Sequence, residues 1–341
     1  MKRILILITA LISLFMFAAC GEQKEPTSAE NNSSQFSEAS ESLPPESQSS
    51  DLSESSEPSD SSETDVQTQI DYTAHYVRSF KAEKINVYPF AATVNTKGEL
   101  DAMLDAYSHE KVYDESFFES KSLTLIFLEE GSGSIKHTVK EVSNNENGWI
   151  FVDIDTEVPE ICTADMAYWC IMIETSKDDA RNNISLCIYD KTLKYEDDTA
   201  SSEENFSFSF TWNTYGVSSY DSATGKLIKT TDTQTPEKYT TYYKLTDLQR
   251  KQLYALIINL DVLSYPDEYD PNPTMGKDPP SKIILSVKTK DFEKTITVEN
   301  DVGEPIDTKA AYFCDACRII RGTLMQTEEW KALPDYEHYY E

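Results

Sequence analysis

The run Leu123-Thr124-Leu125-Ile126-Phe127-Leu128 constrains the fold more than any other stretch, because its apolar side chains do not alternate with polar ones. A strand with one face in water alternates; one without alternation has to be covered above and below. At this length the run reads as a central strand, and a sheet with packing layers on both faces is expected around it. His75 to Phe80 and Ile85 to Phe90 are β-branched and aromatic stretches closed by polar groups, which read as two more strands. Between these and the central run, Thr96-Lys97-Gly98-Glu99 has the spacing of a capping box, and Leu100, Met103, Leu104 and Tyr107 follow at helical intervals. Downstream, Ile135, His137, Val139 and Val142 resume a mostly alternating pattern, and Asn144 to Gly148 makes a hairpin turn into Trp149 to Ile154. Ala167 to Ile173 and Ile184 to Tyr189 complete a mostly antiparallel sheet, so residues 70–195 are expected to form an α+β domain.

A second α+β domain is expected over residues 204–341, behind the acidic linker from Asp197 to Glu204. Phe206, Phe208, Phe210 and Trp212 alternate with Ser207, Ser209 and Thr211, giving a strand with one aromatic face that needs a covering layer. Tyr220 to Leu227 reads as a turn between paired strands, Tyr239 to Leu245 as another strand, and Ile283 to Val287 with Phe292 to Val298 as a hairpin. Thr246-Asp247-Leu248-Gln249 is a second capping box, with Leu253, Leu256, Ile257 and Leu260 as the stripe of a helix that packs on the aromatic face. A last helix is expected from about Thr308 to Thr327, burying Ala310, Phe313, Cys314, Cys317, Ile320 and Leu324.

Ahead of both domains the chain is of another kind. From Gly21 to about Gln69 it is Ser, Glu, Asp and Pro with almost nothing apolar, too little to offset the entropy of ordering, and residues 20–69 are expected to be a disordered tether. The start combines Met1-Lys2-Arg3, an uncharged apolar run from Ile4, and Phe17-Ala18-Ala19-Cys20. This resembles a bacterial lipoprotein signal. The resemblance implies that residues 1–19 are removed, that Cys20 carries lipid, and that the remainder is held at the extracytoplasmic face of the cell membrane. A net charge of -30 argues against nucleic acid or a bare anionic bilayer as a partner. With Cys20 committed to lipid, Cys162, Cys170, Cys187, Cys314 and Cys317 remain, an odd set that reads as mostly buried thiols, with a Cys162 to Cys170 disulfide as the alternative for that pair.

Tyr113 to Phe118, Leu128 to Ile135 with His137, Val158-Pro159-Glu160, and Asp165-Met166-Ala167 with Trp169 together resemble a domain common in exported proteins of Gram-positive anaerobes. That domain is similar, more distantly, to the protease complex subunit PrcB family. The resemblance implies a non-catalytic accessory or binding module. Tyr220-Asp221-Ser222, Ser264 to Asp267 and Glu328 to Pro334 resemble a further module of such exported proteins, which carries no assigned activity.

Motifs that would signal catalysis are not found: there is no GxSxG, HExxH or paired CxxC, and His75, His109, His137 and His338 are scattered. The one CxxC, Cys314 to Cys317, falls on the expected buried face of a helix past its first turn, where a redox pair would not gain from the helix N-terminus. Asp270, Asn272 and Thr274 have alternate-residue oxygen spacing but lack the glycine position and closing Glu of a calcium loop. Tyr239, Tyr242, Tyr243, Tyr265 and Tyr269 offer a glycan-binding surface as an alternative to half-buried strand positions. The expected function is binding of another exported protein, with no cofactor and no metal. Its candidate surface is the strand-connecting segment Glu129, Glu130, Gly131, Ser132, Gly133 and Ser134, whose acidic residues would meet Lys or Arg on the partner. A glycan- or calcium-dependent binder and a hydrolase with an acid pair assembled by folding are the alternatives.

Overall fold

The computed structural model describes residues 66–78, 82–104, 113–197, 200, 202, 204–213, 217–231, 235–272, 281–298 and 304–335. Its class is α+β with mostly antiparallel sheets, and residues 62–341 form one compact unit. Among the described residues no helix is long and apolar enough to cross a membrane.

The first half contains two sheets around one core, where the sequence pattern led to an expectation of one. A four-stranded sheet has the order β2 (Tyr72–Arg78), β7 (Ala167–Ser176), β4 (Lys121–Glu130), β3 (Phe90–Val94). Residues 122–128 of β4 are all buried, as the unbroken apolar run requires. One face packs on the second sheet and the other is covered by α1 (Lys97–Met103), α2 (Phe117–Ser120) and the buried Ile85, Val87 and Tyr113. Thr96 caps α1 by accepting from Glu99 N, and the Glu99 carboxylate takes the N–H of Asn95 rather than that of the cap itself.

The second sheet runs β1 (Thr68–Gln69), β5 (Lys136–Asn144), β6 (Trp149–Glu157), β8 (Asn183–Ile188), β9 (Lys191–Tyr195). Val139 and Val142 both point inward although three residues apart, because the β5–β6 register shifts between Val139 and Glu141, which places an extra residue there. β6 and β8 pair in parallel, since β7 between them belongs to the other sheet. Ile85 to Phe90 is not the expected strand. Strand β3 begins only at Phe90, Pro89 has no N–H for a ladder, and the N–H groups of Asn86 and Val87 are taken by a side chain from the other half, Gln252.

That other half is a six-stranded antiparallel sheet, β13 (Thr240–Tyr242), β12 (Lys226–Ile228), β11 (Ser218–Asp221), β10 (Phe206–Trp212), β14 (Ile283–Thr289), β15 (Glu293–Val298). The aromatic row of β10 is buried beneath α3 (Asp247–Asn259) and α4 (Thr308–Met325), with Tyr254 edge-on to Phe206 at 4.9 Å. Short α5 (Glu328–Ala332) stacks Trp330 on Trp212 at 5.4 Å. In the β11–β12 turn, Gly225 has φ +72°, and a Cβ there would lie 2.9 Å from the Tyr243 carbonyl, so only glycine fits. The expected strand from Tyr239 shrinks to three residues behind a 3-10 turn opened by Pro236.

The stripe expected for α3 is only part of what it buries. Leu253 and Ile257 are buried as expected, but so are Gln252, Tyr254 and Ala255, because both halves of the molecule pack on this helix. Gln252, 2% exposed, accepts from Asn86 N and Val87 N and donates to Lys84 O. Asn259 makes both backbone hydrogen bonds of Lys194 on β9, at 2.8 and 2.9 Å, and Tyr254 donates to Glu196. On α4, Cys314 is only half-buried, while Ala316 and Thr323 join the buried stripe.

Candidate functional site

Glu130 pairs with Ala167 at the end of β4–β7, and Lys136 with Glu157 at the end of β5–β6. The loops 131–135 and 158–166 therefore emerge side by side at one end of the first core. Serine and threonine hydroxyls tie them together: Ser132 Oγ lies 2.8 Å from Ser134 Oγ and 3.0 Å from Thr163 Oγ1, and Thr163 N donates to Ser134 Oγ. Gly133 N donates to Asp165 Oδ1, and Arg78 lies 3.8 Å from the same carboxylate. Hydrogen bonds from Thr163 and the Gly133 amide, with Arg78 beyond them, hold the Asp165 carboxyl below the usual range. A Cβ on Gly133 would sit 2.2 Å from Arg78 Nη2 and 2.3 Å from Asp165 Oδ2, so a side chain there would displace the pair that fastens the loops.

Beneath the loops lies a buried polar cluster. The side chains of His137 and Glu130 are 0% and 9% exposed, with Nε2 3.1 Å from Oε1 but not aligned with it as a hydrogen bond. His137 Nδ1 lies 3.2 Å from Thr156 Oγ1, and the ring stands perpendicular to Trp169 and to Tyr189. Burial, and then a hydrogen bond to the Glu130 carboxylate, push the Tyr189 phenol upward. The Trp169 indole N–H is buried without an acceptor among the described residues. A His between a carboxylate and a hydroxyl has the parts of a proton-transfer chain, yet the burial of both His137 and Glu130 denies a substrate direct contact. At the far end of β7, Glu174 is the comparable buried carboxylate, 2.9 Å from both Lys121 Nζ and His75 Nε2 and 3.3 Å from Tyr113 OH.

The expected acidic docking segment thus divides. Glu129 is exposed and accepts from Tyr168 OH, and Gly131 is exposed. Glu130, Ser132 and Gly133 are buried and Ser134 half-buried, so Glu130 does not present a charge to a partner: alternation along β4 turns it into the core. What projects instead is the neighbouring loop. Val158, Ile161 and Met166 are 57%, 87% and 58% exposed, with Glu157 and Glu160 exposed among them. Their signal in the sequence is a cluster of large apolar residues in a proline-bearing stretch with no period.

None of the five described cysteines is in a disulfide: Cys162 is exposed, Cys187 and Cys314 half-buried, Cys170 and Cys317 buried. Burial pushes Cys170 up to about 12, which makes it an unreactive packing group. No group of three or more His, Cys, Asp or Glu is arranged to hold a metal ion among the described residues. Asn272 is buried and donates to Glu304 O, which turns its amide to backbone. Of the five candidate tyrosines, Tyr265 is buried, Tyr239, Tyr243 and Tyr269 are half-buried and Tyr242 is exposed, so they form no continuous exposed platform. Cys20, Tyr107, His109, Thr274 and His338 lie outside the described residues. In comparisons with known proteins, no family model matches the chain, and no curated protein matches it either.

Proposed function

We propose that the chain is an extracytoplasmic lipoprotein, anchored in the cell membrane through lipid on Cys20, whose folded part is a non-catalytic module that docks another exported protein through the paired loops 131–135 and 158–166. The observation that carries the docking reading is the exposure of Val158, Ile161 and Met166 on a segment whose neighbours Thr163 and Asp165 are hydrogen-bonded in place. Large apolar side chains exposed together mark contact surfaces, and a loop already fastened loses less entropy when it binds. Glu157 and Glu160 are exposed on the same segment and Glu129 at the neighbouring end of β4, which suits a partner with an apolar patch and basic residues beside it. The anchor rests on the lipoprotein-like start of the chain, and the accessory role on the PrcB-like motifs, two of which, Val158-Pro159-Glu160 and Asp165-Met166-Ala167, fall in or beside this loop.

The test is a photo-crosslinker attached to Cys162, which is exposed in the loop. In envelope preparations it should give one discrete protein adduct that weakens as salt rises and is lost in the double variant Ile161→Asp, Met166→Asp, while the melting temperature of that variant stays put. An adduct of unchanged strength in the double variant would remove this surface from consideration.

A further inference from the structure

The six-stranded sheet and α4 leave a gap between them. It is a cavity of about 80 Å³, with Trp212, Val298, Phe313 and Cys317 as its apolar walls and Arg318 and Arg321 beside them. These four wall residues are at most 3% exposed, whereas Arg318 reaches solvent, so the cavity runs from a buried interior to a cationic rim.

The two arginines are not equivalent. Arg318 is paired with Asp315 at 2.6 Å on the same helix. Arg321 is half-buried and has neither ion pair nor hydrogen bond among the described residues. The chain has 60 acidic residues for 30 basic ones, so a guanidinium at a cavity mouth with no carboxylate paired to it among the described residues stands against the composition of the whole molecule.

We propose that this cavity is a binding site for a short-chain aliphatic carboxylate, its alkyl chain inside and its carboxylate on Arg321. A guanidinium offers a carboxylate two parallel hydrogen bonds, and a half-buried position strengthens them. Aromatic rings and polarisable thiols suit an alkyl chain. Size bounds the chain: an apolar cavity of roughly 150 Å³ holds a benzene ring, so about half that volume takes a chain of about three or four carbons. The site is independent of the loop surface in the other half of the molecule.

Sodium butyrate is the probe, with butan-1-ol as the neutral analogue and sodium chloride at matched ionic strength as the control, all on the intact chain. Trp212 lines the cavity and stacks on Trp330, so occupancy should change tryptophan emission saturably and raise the melting temperature. In Arg321→Gln the butyrate affinity should fall about tenfold or more, the worth of one charge-assisted contact, with the butan-1-ol response unchanged. Cys314→Leu, a half-buried position, should fill the cavity and abolish both responses. A butyrate response no larger than that of sodium chloride, or one that survives Arg321→Gln undiminished, overturns the proposal.

Discussion

At the end of β4, strand alternation sends Glu129 into solvent and Glu130 into the core, and this one-residue difference decides what each contributes. Glu130 faces the fully buried His137, with Tyr189 beside them, and removing one member of the set leaves the others uncompensated. Glu130→Lys would bury a cation beside His137, and the expected cost is about 3 kcal/mol or more, read as a lowered midpoint of chemical denaturation. Glu129→Lys loses one exposed contact with Tyr168 and should stay within about 1 kcal/mol of the parent. Equal midpoints for the two variants would mean that the Glu130 cluster carries no net stability. The sequence alone marked His137 as inward-facing, because it sits in the apolar row of β5. It did not reveal the carboxylate opposite, since Glu130 is brought there by the pairing of two sheets and not by any local pattern.

At the scale of elements, what was legible was local. The caps of α1 and α3, the aromatic row of β10, the glycine turns and the two-sided burial of β4 each follow from residues a few positions apart. Features set by distant partners were not. The turn Tyr189-Asp190 has φ of +53° and +57° with no glycine to announce it, and Ile85 to Phe90 has strand-like composition yet no strand. Gln252 explains the latter. Its side chain occupies two N–H groups and one carbonyl of the 84–87 segment, a role invisible in the periodicity of α3, where a polar residue reads as solvent-facing. Gln252→Ala should leave the Val87 N–H unpaired in a buried site, with the Asn86 N–H and Lys84 carbonyl partly buried, and cost about 1 to 3 kcal/mol. Hydrogen exchange should quicken at Asn86 and Val87 well before the strands of either sheet; protection unchanged at both amides would assign the bonding elsewhere.

For the whole molecule, the question is whether the two halves act as one body. Each has its own apolar cluster, so each has the core expected of a domain, and the segment between Asp197 and Glu204 is poor in apolar residues. Against separation stands α3, which belongs to the second half by sequence and places Ala255 in the core of the first. Gln252, Tyr254 and Asn259 add hydrogen bonds to the 84–87 segment, Glu196 and Lys194, and Lys251 pairs with Asp197. Lys191 lies 4.3 Å above the ring of Tyr312, a contact between β9 and α4. The Gln252 and Tyr254 bonds are partly buried, whereas the Asn259–Lys194 bonds and the Lys191–Tyr312 contact are exposed, so the first two should hold the seam more firmly than the rest. Brief proteolysis is therefore expected to cut in the Ser- and Glu-rich segment before residue 66 and near residues 197–204. After the latter cut the two fragments should still elute as a single particle of the uncut size in gel filtration, and they should part only in denaturant or when Gln252→Ala is combined with Asn259→Ala. Fragments that separate in plain buffer would show that the seam along α3 contributes little, and that the halves are independent domains on a common tether.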